Sequence, residues 1–385
     1  MLPALARSFL AFLILLCAPF AGAQFSTSAD QAVVYDFETW QILYTKNADQ
    51  PMSPSSMTKM MTAYVIFDAL SAGEIDIEQR MRVSDLAFDP IGSRMWLGLN
   101  TTVSVDRLLN GLIVQSGNDA AIVLAEGLSG SVEAFVARMN ATAASLGMTG
   151  TSFRNPSGLS EEGHYSTARD MAVLSRALIL NHAAYYGYFS RTEYTYANIR
   201  QLNRNLLLGE GLGVDGIKTG YTSAGGYGQA TSAVDPETGR RIIAVFNGTD
   251  SKAARKLEAE RLVEFGLSNF SNHDLFRAGQ VVGHAPVWLG EQTRVPLVVQ
   301  RNIRRTLRRD AIHNMRATLL LYESPLEAPI TEGQEVGKLL YFSLGMSGDT
   351  APFEETVYAG ASVEALSQVD AALQGVQYYL LGGGS

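Results

Sequence analysis

The sequence predicts an α/β fold, in which an antiparallel sheet packs with a cluster of helices, followed by a small all-β domain and a C-terminal amphipathic helix. Three observations support this. Strand-like segments flank a helical block up to about residue 268, the later residues form short strand-like runs between Gly and Pro turns, and the final residues have apolar side chains at helical spacing. A chain of 385 residues with 46% hydrophobic residues can form two or three globular domains.

In the first region, residues 32–36 and 41–46 read as a hairpin, and an apolar helical pattern follows Pro54. Residues 103–128 read as two helices broken at 116–118, and 131–147 and 167–181 are also helical in pattern. Strands are expected at 225–234 and 240–246, and a charged amphipathic helix at 251–266. We therefore expect one domain over residues 24–268.

The second region is expected to be a small β domain over residues 269–361, with strands at 280–289, 293–300, 317–322 and 335–342. It contains a basic cluster at 301–309, which is interpreted as a solvated strand face, with binding of an anionic wall polymer or lipid head group as the alternative. Residues 362–385 are expected to form an amphipathic tail helix that suits a membrane surface. The tail has Glu364 and Asp370 but no Lys or Arg, so docking onto protein is the alternative.

The N-terminus has the pattern of an export signal over residues 1–23. Arg7 supplies a positive charge, residues 9–20 are apolar, and residues 21–23 (Ala-Gly-Ala) fit a cleavage site before Gln24. An uncleaved membrane anchor is the alternative, although the apolar run is shorter than the roughly 20 residues that a spanning helix needs. We expect an exported, periplasmic protein, associated through its tail with the outer face of the cytoplasmic membrane.

Composition excludes several kinds of site. The net charge of −8 argues against nucleic acid as a partner, because phosphate binding needs a basic face. The single cysteine, Cys17, lies in the signal, so the mature chain would have no disulfide, thiolate nucleophile or Cys-based zinc site. A lipoprotein anchor at Cys17 is disfavoured by the large Leu16 before it. The five histidines are scattered, and neither a metal nor a cofactor is expected.

Three short motifs carry the predicted chemistry. Ser56 and Lys59 form S-x-x-K, Ser116 and Asn118 form S-x-N, and Lys218 begins K-T-G. Each motif alone is common by chance, whereas all three in this order form a set specific to penicillin-binding proteins and related serine hydrolases. Residues three apart on a helix share a face, so the Lys59 amine is expected to reach the Ser56 hydroxyl as its base.

A lysine base needs a depressed pKa, which burial and a second cation, Lys218, would provide. Ser116 is expected to relay a proton to the leaving amine and Asn118 to bind the substrate amide. The side chains of Lys218 and Thr219 suit a terminal carboxylate. The remaining expected sites are Gly220, which leaves room for substrate backbone, and an oxyanion hole made by the N–H groups of Ser56 and Tyr221.

The sequence around these motifs resembles the low-molecular-mass penicillin-binding proteins, the D-alanyl-D-alanine carboxypeptidases of peptidase family S11. The matching stretches are residues 53–62, 115–121, 155–159, 165–172, 203–205 and 214–222. The resemblance implies a serine β-lactamase/DD-peptidase-like catalytic fold with a β-sandwich behind it. It also implies removal of the terminal D-Ala from peptidoglycan stem peptides through an acyl-enzyme on Ser56, with β-lactam antibiotics as covalent inhibitors.

The resemblance adds two residues and one departure. Arg204 resembles a family arginine near the pocket, with Asp170 as its expected ion-pair partner, although a purely structural role for Arg204 stays open. The residue after K-T-G is often His in the family and is Tyr221 here, which leaves a backbone N–H donor in place and changes the shape or pH response of the pocket.

Three alternatives stay open. A class A β-lactamase shares the fold and motifs but needs a Glu-x-x-Leu-Asn motif after S-x-N, whereas the similar residues 106–110 precede Ser116. A DD-endopeptidase is not separated from a carboxypeptidase by these motifs. A catalytically silent binding or scaffold protein is disfavoured by the intact set of Ser, Lys and Asn residues.

Overall fold

The computed structural model describes residues 25–343 and 353–381. The predicted export signal, Cys17 and the expected first mature residue Gln24 lie outside the described residues. The strands up to residue 249 are β1 (Gln31–Asp36), β2 (Ile42–Lys46), β3 (Arg80–Arg82), β4 (Thr102–Ser104), β5 (Glu193–Tyr196), β6 (Ile199–Leu202), β7 (Val214–Thr222), β8 (Gly226–Val234) and β9 (Arg241–Thr249).

The helices of the same region are α1 (Lys59–Ser71), α2 (Asp85–Phe88), α3 (Val105–Asn110), α4 (Asn118–Ser129), α5 (Val132–Ser145), α6 (Ala168–Asn181), α7 (Ala183–Tyr186) and α8 (Lys252–Ser268). Short 3-10 turns lie at Ser55–Thr58 and Gly187–Ser190, and a π turn at Gly111–Gln115. The predicted hairpin, the long helices and the strands after residue 225 are confirmed. The short pairs β3–β4 and β5–β6 were not predicted, because segments of three or four residues carry little periodicity.

The main sheet is antiparallel, with the strand order β2-β1-β9-β8-β7. Its two faces follow the two-residue period of a strand. Val33 and Tyr35 of β1 pack into the core with the helical cluster, while Ala32 and Val34 pack towards α8. The sheet is therefore a middle layer between the helical cluster and α8, and β7 is an edge strand beside the helices.

Helix α1 runs through the middle of the helical cluster. Its residues from Lys59 to Phe67 are all buried, so the helix is covered on every side. The predicted break at 116–118 is also present, because the π turn ends at Ser116, which has φ 61°, and α4 begins at Asn118. The S-x-x-K and S-x-N motifs thus lie at the starts of two neighbouring helices.

The second region is built from strands β10 (Phe270–Phe276), β11 (Val281–Trp288), β12 (Arg294–Val298), β13 (Ile303–Arg308), β14 (Met315–Leu321), β15 (Leu326–Glu327), β16 (Glu335–Ser343) and β17 (Phe353–Ala359). A six-stranded sheet has the order β14-β16-β17-β12-β11-β15, and β10 pairs with β13. Residues of both sheets share one apolar core. The four predicted strands are confirmed, and β13 lies in the basic cluster that was interpreted as a strand face, whereas β10, β15 and β17 were missed. In β13 and β17 charged residues obscure the apolar alternation.

Polar contacts join the two regions. Asp36, at the end of β1, is fully buried and accepts a hydrogen bond from Arg240 at 2.8 Å. The side chain of Asn272 in β10 also donates to Asp36, at 3.4 Å. The backbone N–H of Thr306 in β13 donates to the side chain of Gln41 at 2.7 Å. The β1–β2 turn is therefore fastened to the β10–β13 ribbon.

The tail helix, α9 (Gln368–Leu381), begins later than the sequence suggested. Residues 362–367 are not helical, because Val363 is buried in the β-domain core and pairs with Ile330. Val369, Leu373 and Val376 are exposed on α9. Among residues 25–343 and 353–381, no single helix has the length and apolarity to cross a membrane, and one pair bent by 88°, α4 with α5, passes that test only when taken together.

Candidate active site

Ser56 and Lys59 lie together at the point where a 3-10 turn passes into α1. Lys59 is fully buried and Ser56 is half-buried. The Lys59 amine, Nζ, is 3.2 Å from Oγ of Ser56. The S-x-x-K spacing therefore places the amine next to the hydroxyl, with one side of Ser56 open to solvent.

Nζ of Lys59 has two further partners, and both are neutral. It donates to Oδ1 of Asn118 at 2.7 Å and to the backbone carbonyl of Ser157 at 2.5 Å. Burial and, after it, the cation of Arg204 lower the pKa of Lys59 to about 7, and Asp119 opposes the shift. About half of the Lys59 side chains are then neutral at pH 7, which is the state that a general base requires.

The expected second cation acts differently from the prediction. Arg204 is the cation that depresses the pKa of Lys59. The pKa of Lys218 is itself lowered well below its usual value, by burial first and then by Lys59, Arg204 and Arg255. Lys218 is thus one of several like charges around the cleft, rather than the one cation that tunes Lys59.

Asn118 and Asp119 anchor a loop over the site. The Asn118 side chain is occupied at both ends, because its amide donates to the carbonyl of Ile91 at 2.7 Å and its oxygen accepts from Lys59. The buried carboxylate of Asp119 accepts from the backbone N–H groups of Met95 and Trp96. The structure thus places Asn118 on the base, whereas the sequence suggested a contact with the substrate amide. Asp119 had no role in the sequence prediction.

Ser116 lies beside these residues in the left-handed conformation that ends the π turn. It is completely buried, and within residues 25–343 and 353–381 its hydroxyl has no hydrogen-bond partner. A buried hydroxyl without a partner is costly in a folded protein. The expected proton relay through Ser116 stays a prediction.

Strand β7 carries the K-T-G residues along the sheet edge. The buried Lys218 donates to the carbonyl of Thr219 at 3.3 Å. A Cβ on Gly220 would lie 2.9 Å from the carbonyl of Pro54. The glycine therefore lets β7 approach the 3-10 turn Ser55–Thr58, the catalytic turn. Gly220 therefore has a packing role, and its expected role in leaving room for substrate stays a prediction. Tyr221 is 53% exposed and stacks on Tyr227 with ring centroids 4.2 Å apart.

Asp170 is not the partner of Arg204, which corrects the sequence prediction. Asp170 lies in the first turn of α6 and accepts hydrogen bonds from Gly150 N–H at 2.8 Å and Thr151 Oγ1 at 2.6 Å. Arg204 is exposed, and its carbonyl accepts a hydrogen bond from Arg255 at 2.8 Å. In the described part of the chain no carboxylate pairs with Arg204, and its charge lowers the pKa values of both Lys59 and Lys218.

The segment 155–159 matters more than the sequence indicated. The side-chain oxygen of Asn155 accepts from the N–H groups of Ser157 and Gly158, which orders the turn and presents the Ser157 carbonyl to Lys59. The motif Asn-Pro-Ser-Gly-Leu was visible in the sequence, but it has no side chain of obvious chemistry. Its contribution is a backbone carbonyl, which a sequence pattern does not reveal.

Comparisons with known proteins agree over both regions. A family model described as D-alanyl-D-alanine carboxypeptidase matches residues 19–251, and one described as penicillin-binding protein 5, C-terminal domain, matches residues 270–365. The D-alanyl-D-alanine carboxypeptidase DacA of Haemophilus influenzae is 36% identical over 318 residues, which cover 82% of this chain and 81% of the relative.

Solved structures extend this similarity to three dimensions. Penicillin-binding protein 5 from Haemophilus influenzae has a TM-score of 0.74 and 34% identity, covering 89% of this chain and 99% of that one. Penicillin-binding protein D2 from Listeria monocytogenes, solved in its cefotaxime-bound form, has a TM-score of 0.59 and 32% identity, covering 64% of this chain and 99% of that one.

Proposed function

Since the chain belongs to the D-alanyl-D-alanine carboxypeptidase family, peptidase family S11, we propose that it removes the terminal D-Ala from peptidoglycan pentapeptide stems through an acyl-enzyme on Ser56. One observation carries the proposal. The buried amine of Lys59 lies 3.2 Å from the Ser56 hydroxyl, and its pKa is lowered to about 7. This pair has the arrangement of a nucleophile and its general base.

In the acylation step, Lys59 takes the proton of Ser56 as Oγ attacks the carbonyl carbon of the penultimate D-Ala. The backbone N–H groups of Ser56 and Tyr221 are the proposed donors to the oxyanion. Collapse of the tetrahedral intermediate breaks the C–N bond, and the leaving D-Ala amine receives a proton through Ser116. Water then hydrolyses the ester, with the same base accepting its proton, and Ser56 is regenerated.

Charge around the cleft supports recognition of a terminal carboxylate. Lys218 and Arg204 have no carboxylate partner among the described residues, and they repel Lys59. An anionic group at the end of the substrate would offset this repulsion, with Thr219 as a hydroxyl donor. Binding would also raise the pKa of Lys59 by bringing a negative charge nearby.

Binding of β-lactams follows from the same nucleophile. Penicillin-binding protein D2 was solved in cefotaxime-bound and ampicillin-bound forms. We propose that β-lactams acylate Ser56 and that the resulting acyl-enzyme is hydrolysed slowly. No carboxylate oxygen among residues 25–343 and 353–381 is hydrogen-bonded to Ser56 or Lys59. The residues 106–110 lie in α3, where Asp106 accepts a hydrogen bond from Tyr188 at 2.6 Å. A β-lactamase-type activation of water is thus not supported.

For location, we propose an exported enzyme that acts in the periplasm, with α9 lying on the outer face of the cytoplasmic membrane. The exposed side chains of Val369, Leu373 and Val376 support contact with an apolar surface. Asp370 in the first turn of α9 would have to face the aqueous side.

The function is tested with two substrates given separately to the purified protein: a diacetylated Lys–D-Ala–D-Ala tripeptide and a chromogenic β-lactam. Steady release of D-Ala with slow, stoichiometric ring opening is the expected result. Rapid catalytic ring opening without D-Ala release would instead show a β-lactamase. Cleavage of cross-linked stem dimers with no action on the tripeptide would show an endopeptidase.

A further inference from the structure

His164 is a buried imidazole that the three motifs do not include. It is 9% exposed, and its Nε2 lies 2.9 Å from Oγ1 of Thr58, between Ser56 and Lys59. The backbone N–H of Arg154 donates to Nδ1 at 3.1 Å. Because Nδ1 accepts a hydrogen bond, the neutral ring carries its proton on Nε2 and donates it to Thr58.

The ring lies at the end of a segment, residues 154–164, that packs against the catalytic turn. Two backbone carbonyls of this segment accept hydrogen bonds from α1: Pro156 from Thr62 at 2.7 Å, and Ser157 from Lys59 at 2.5 Å. The imidazole is the third link. It is also a side chain that joins both ends of the segment to the turn, since it bonds Arg154 as well as Thr58.

The packing between segment and turn leaves little freedom. Gly158 has φ +82°, and a Cβ at this position would lie 1.8 Å from the Ser55 carbonyl. Directly after His164, Tyr165 pairs with Ser152 through two backbone hydrogen bonds. A displacement of the imidazole is therefore transmitted to the segment, and from there to the Ser157 carbonyl that holds Lys59.

Burial, more than the charged groups around it, keeps the His164 ring neutral. Burial lowers the pKa of His164 to about 4; Glu161 raises it, while Arg154 and Lys59 lower it. At neutral pH the imidazole therefore acts as one donor and one acceptor, and it does not titrate in the range in which Lys59 titrates.

We propose that His164 is a positioning residue for acylation, which holds the segment 154–164 on the catalytic turn and so keeps the Lys59 amine dry and directed at Ser56. The inference rests on the proposed roles of Ser56 and Lys59. Without the ring, the segment loosens and water reaches Nζ, so the pKa of Lys59 rises towards its ordinary value of 10.5. Less neutral amine is then present at pH 7.

Three substitutions separate the two hydrogen bonds. His164→Asn keeps an acceptor for the Arg154 N–H and loses the donor to Thr58, whereas His164→Gln keeps a donor near Thr58 and loses the acceptor. Thr58→Val removes the acceptor of the ring N–H with little change of shape. A matched control is His182→Asn, because His182 is also buried, at 3% exposure, but lies beside Asp68 towards the other end of α1.

The experiment measures the second-order rate constant for acylation by a chromogenic β-lactam between pH 5 and 10, with the melting temperature of each variant. We expect His164→Asn to lower the rate at pH 7 by about tenfold and to move the acid limb of the profile to higher pH. Thr58→Val should do the same, and the double variant should be no worse than either single one. His164→Gln should lower the acylation rate less than His164→Asn does. His182→Asn should change only the melting temperature.

An acid limb that stays in place in His164→Asn and Thr58→Val, with rates within about twofold of the parent, would overturn the inference. If the His164 variants do not fold, Thr58→Val alone decides, since it breaks the same hydrogen bond. Failure of the proposed function has a separate signature: the unaltered protein would not be acylated, or Ser56→Ala would still be labelled.

Discussion

The two lysines of the candidate active site and the arginines of the β domain hold their positive charge in opposite ways. In the catalytic domain, Lys59 and Lys218 are buried, and neither has a carboxylate partner in the described part of the chain. In the β domain, Arg301 is 70% exposed and is paired with Glu355, and Arg308 is paired with Asp310 at 2.8 Å. Buried, unpaired cations are costly and are retained where they bind or react, whereas exposed pairs contribute little energy.

This difference bears on the basic cluster of the β domain. Among its arginines, Arg301, Arg304, Arg305 and Arg308 each have a carboxylate within 4 Å. Their charge is therefore largely neutralised within the protein. This favours the interpretation as a solvated strand face over a surface for anionic polymers or lipid head groups.

The largest effect is expected at the buried pair. Ser56→Ala removes the proposed nucleophile, so labelling by a fluorescent penicillin should be lost. Lys59→Ala should slow acylation by about 10²–10⁴-fold, because a general base contributes that much. Arg308→Ala is the matched control for loss of a cation in the other region and should label normally. Near-normal labelling of either active-site variant, with the fold intact by circular dichroism, would contradict the assignment.

The next effect concerns pH. Lys59 acts as a base only when neutral, so with a pKa of about 7 the acylation rate should fall about tenfold for each pH unit below 7. Arg204→Gln removes a cation that depresses this pKa, and the acid limb should therefore move to higher pH. The profile is measured with a β-lactam whose own ionisation lies outside the range. A limb that moves to lower pH would show that Arg204 acts on Lys59 by another route.

The smallest effect is expected in the β domain. Arg308→Ala should lower the free energy of unfolding by less than about 1 kcal/mol, because its pair with Asp310 is exposed on both sides. Urea unfolding measures this, and raising the salt concentration should reduce the difference further. A loss of several kcal/mol, or a change in the acylation rate, would contradict the view that the exposed arginine pairs of the β domain contribute little energy and take no part in catalysis.

Much of the fold could be predicted because its signals are local. The apolar period of 3.6 in α6 and the alternation in β1 each lie within one segment. Prediction was wrong where burial depends on distant residues. Val363 was expected on a helix face, but it pairs with Ile330 from another part of the chain and is buried in the β-domain core. The basic cluster at 301–309 was interpreted as a strand face, and β13 lies there, but its partner β10, about 30 residues earlier, was not predicted.

The sequence by itself determined which side chains the candidate site contains: a serine and a lysine one helical turn apart, a second serine with an asparagine, and a K-T-G stretch. It also indicated the order of the helices and strands that carry these groups. These conclusions needed only residue types and short spacings.

The tertiary structure alone decided how those groups are tuned. It showed that Asn118 and the Ser157 carbonyl accept hydrogen bonds from Lys59. It also showed that Asp170 bonds Thr151 and not Arg204, and that His164 bonds the catalytic turn. The physical reason is that desolvation and Coulomb interactions depend on distances between residues far apart in the chain. A motif specifies which amine is present, but only the packing around that amine sets its pKa.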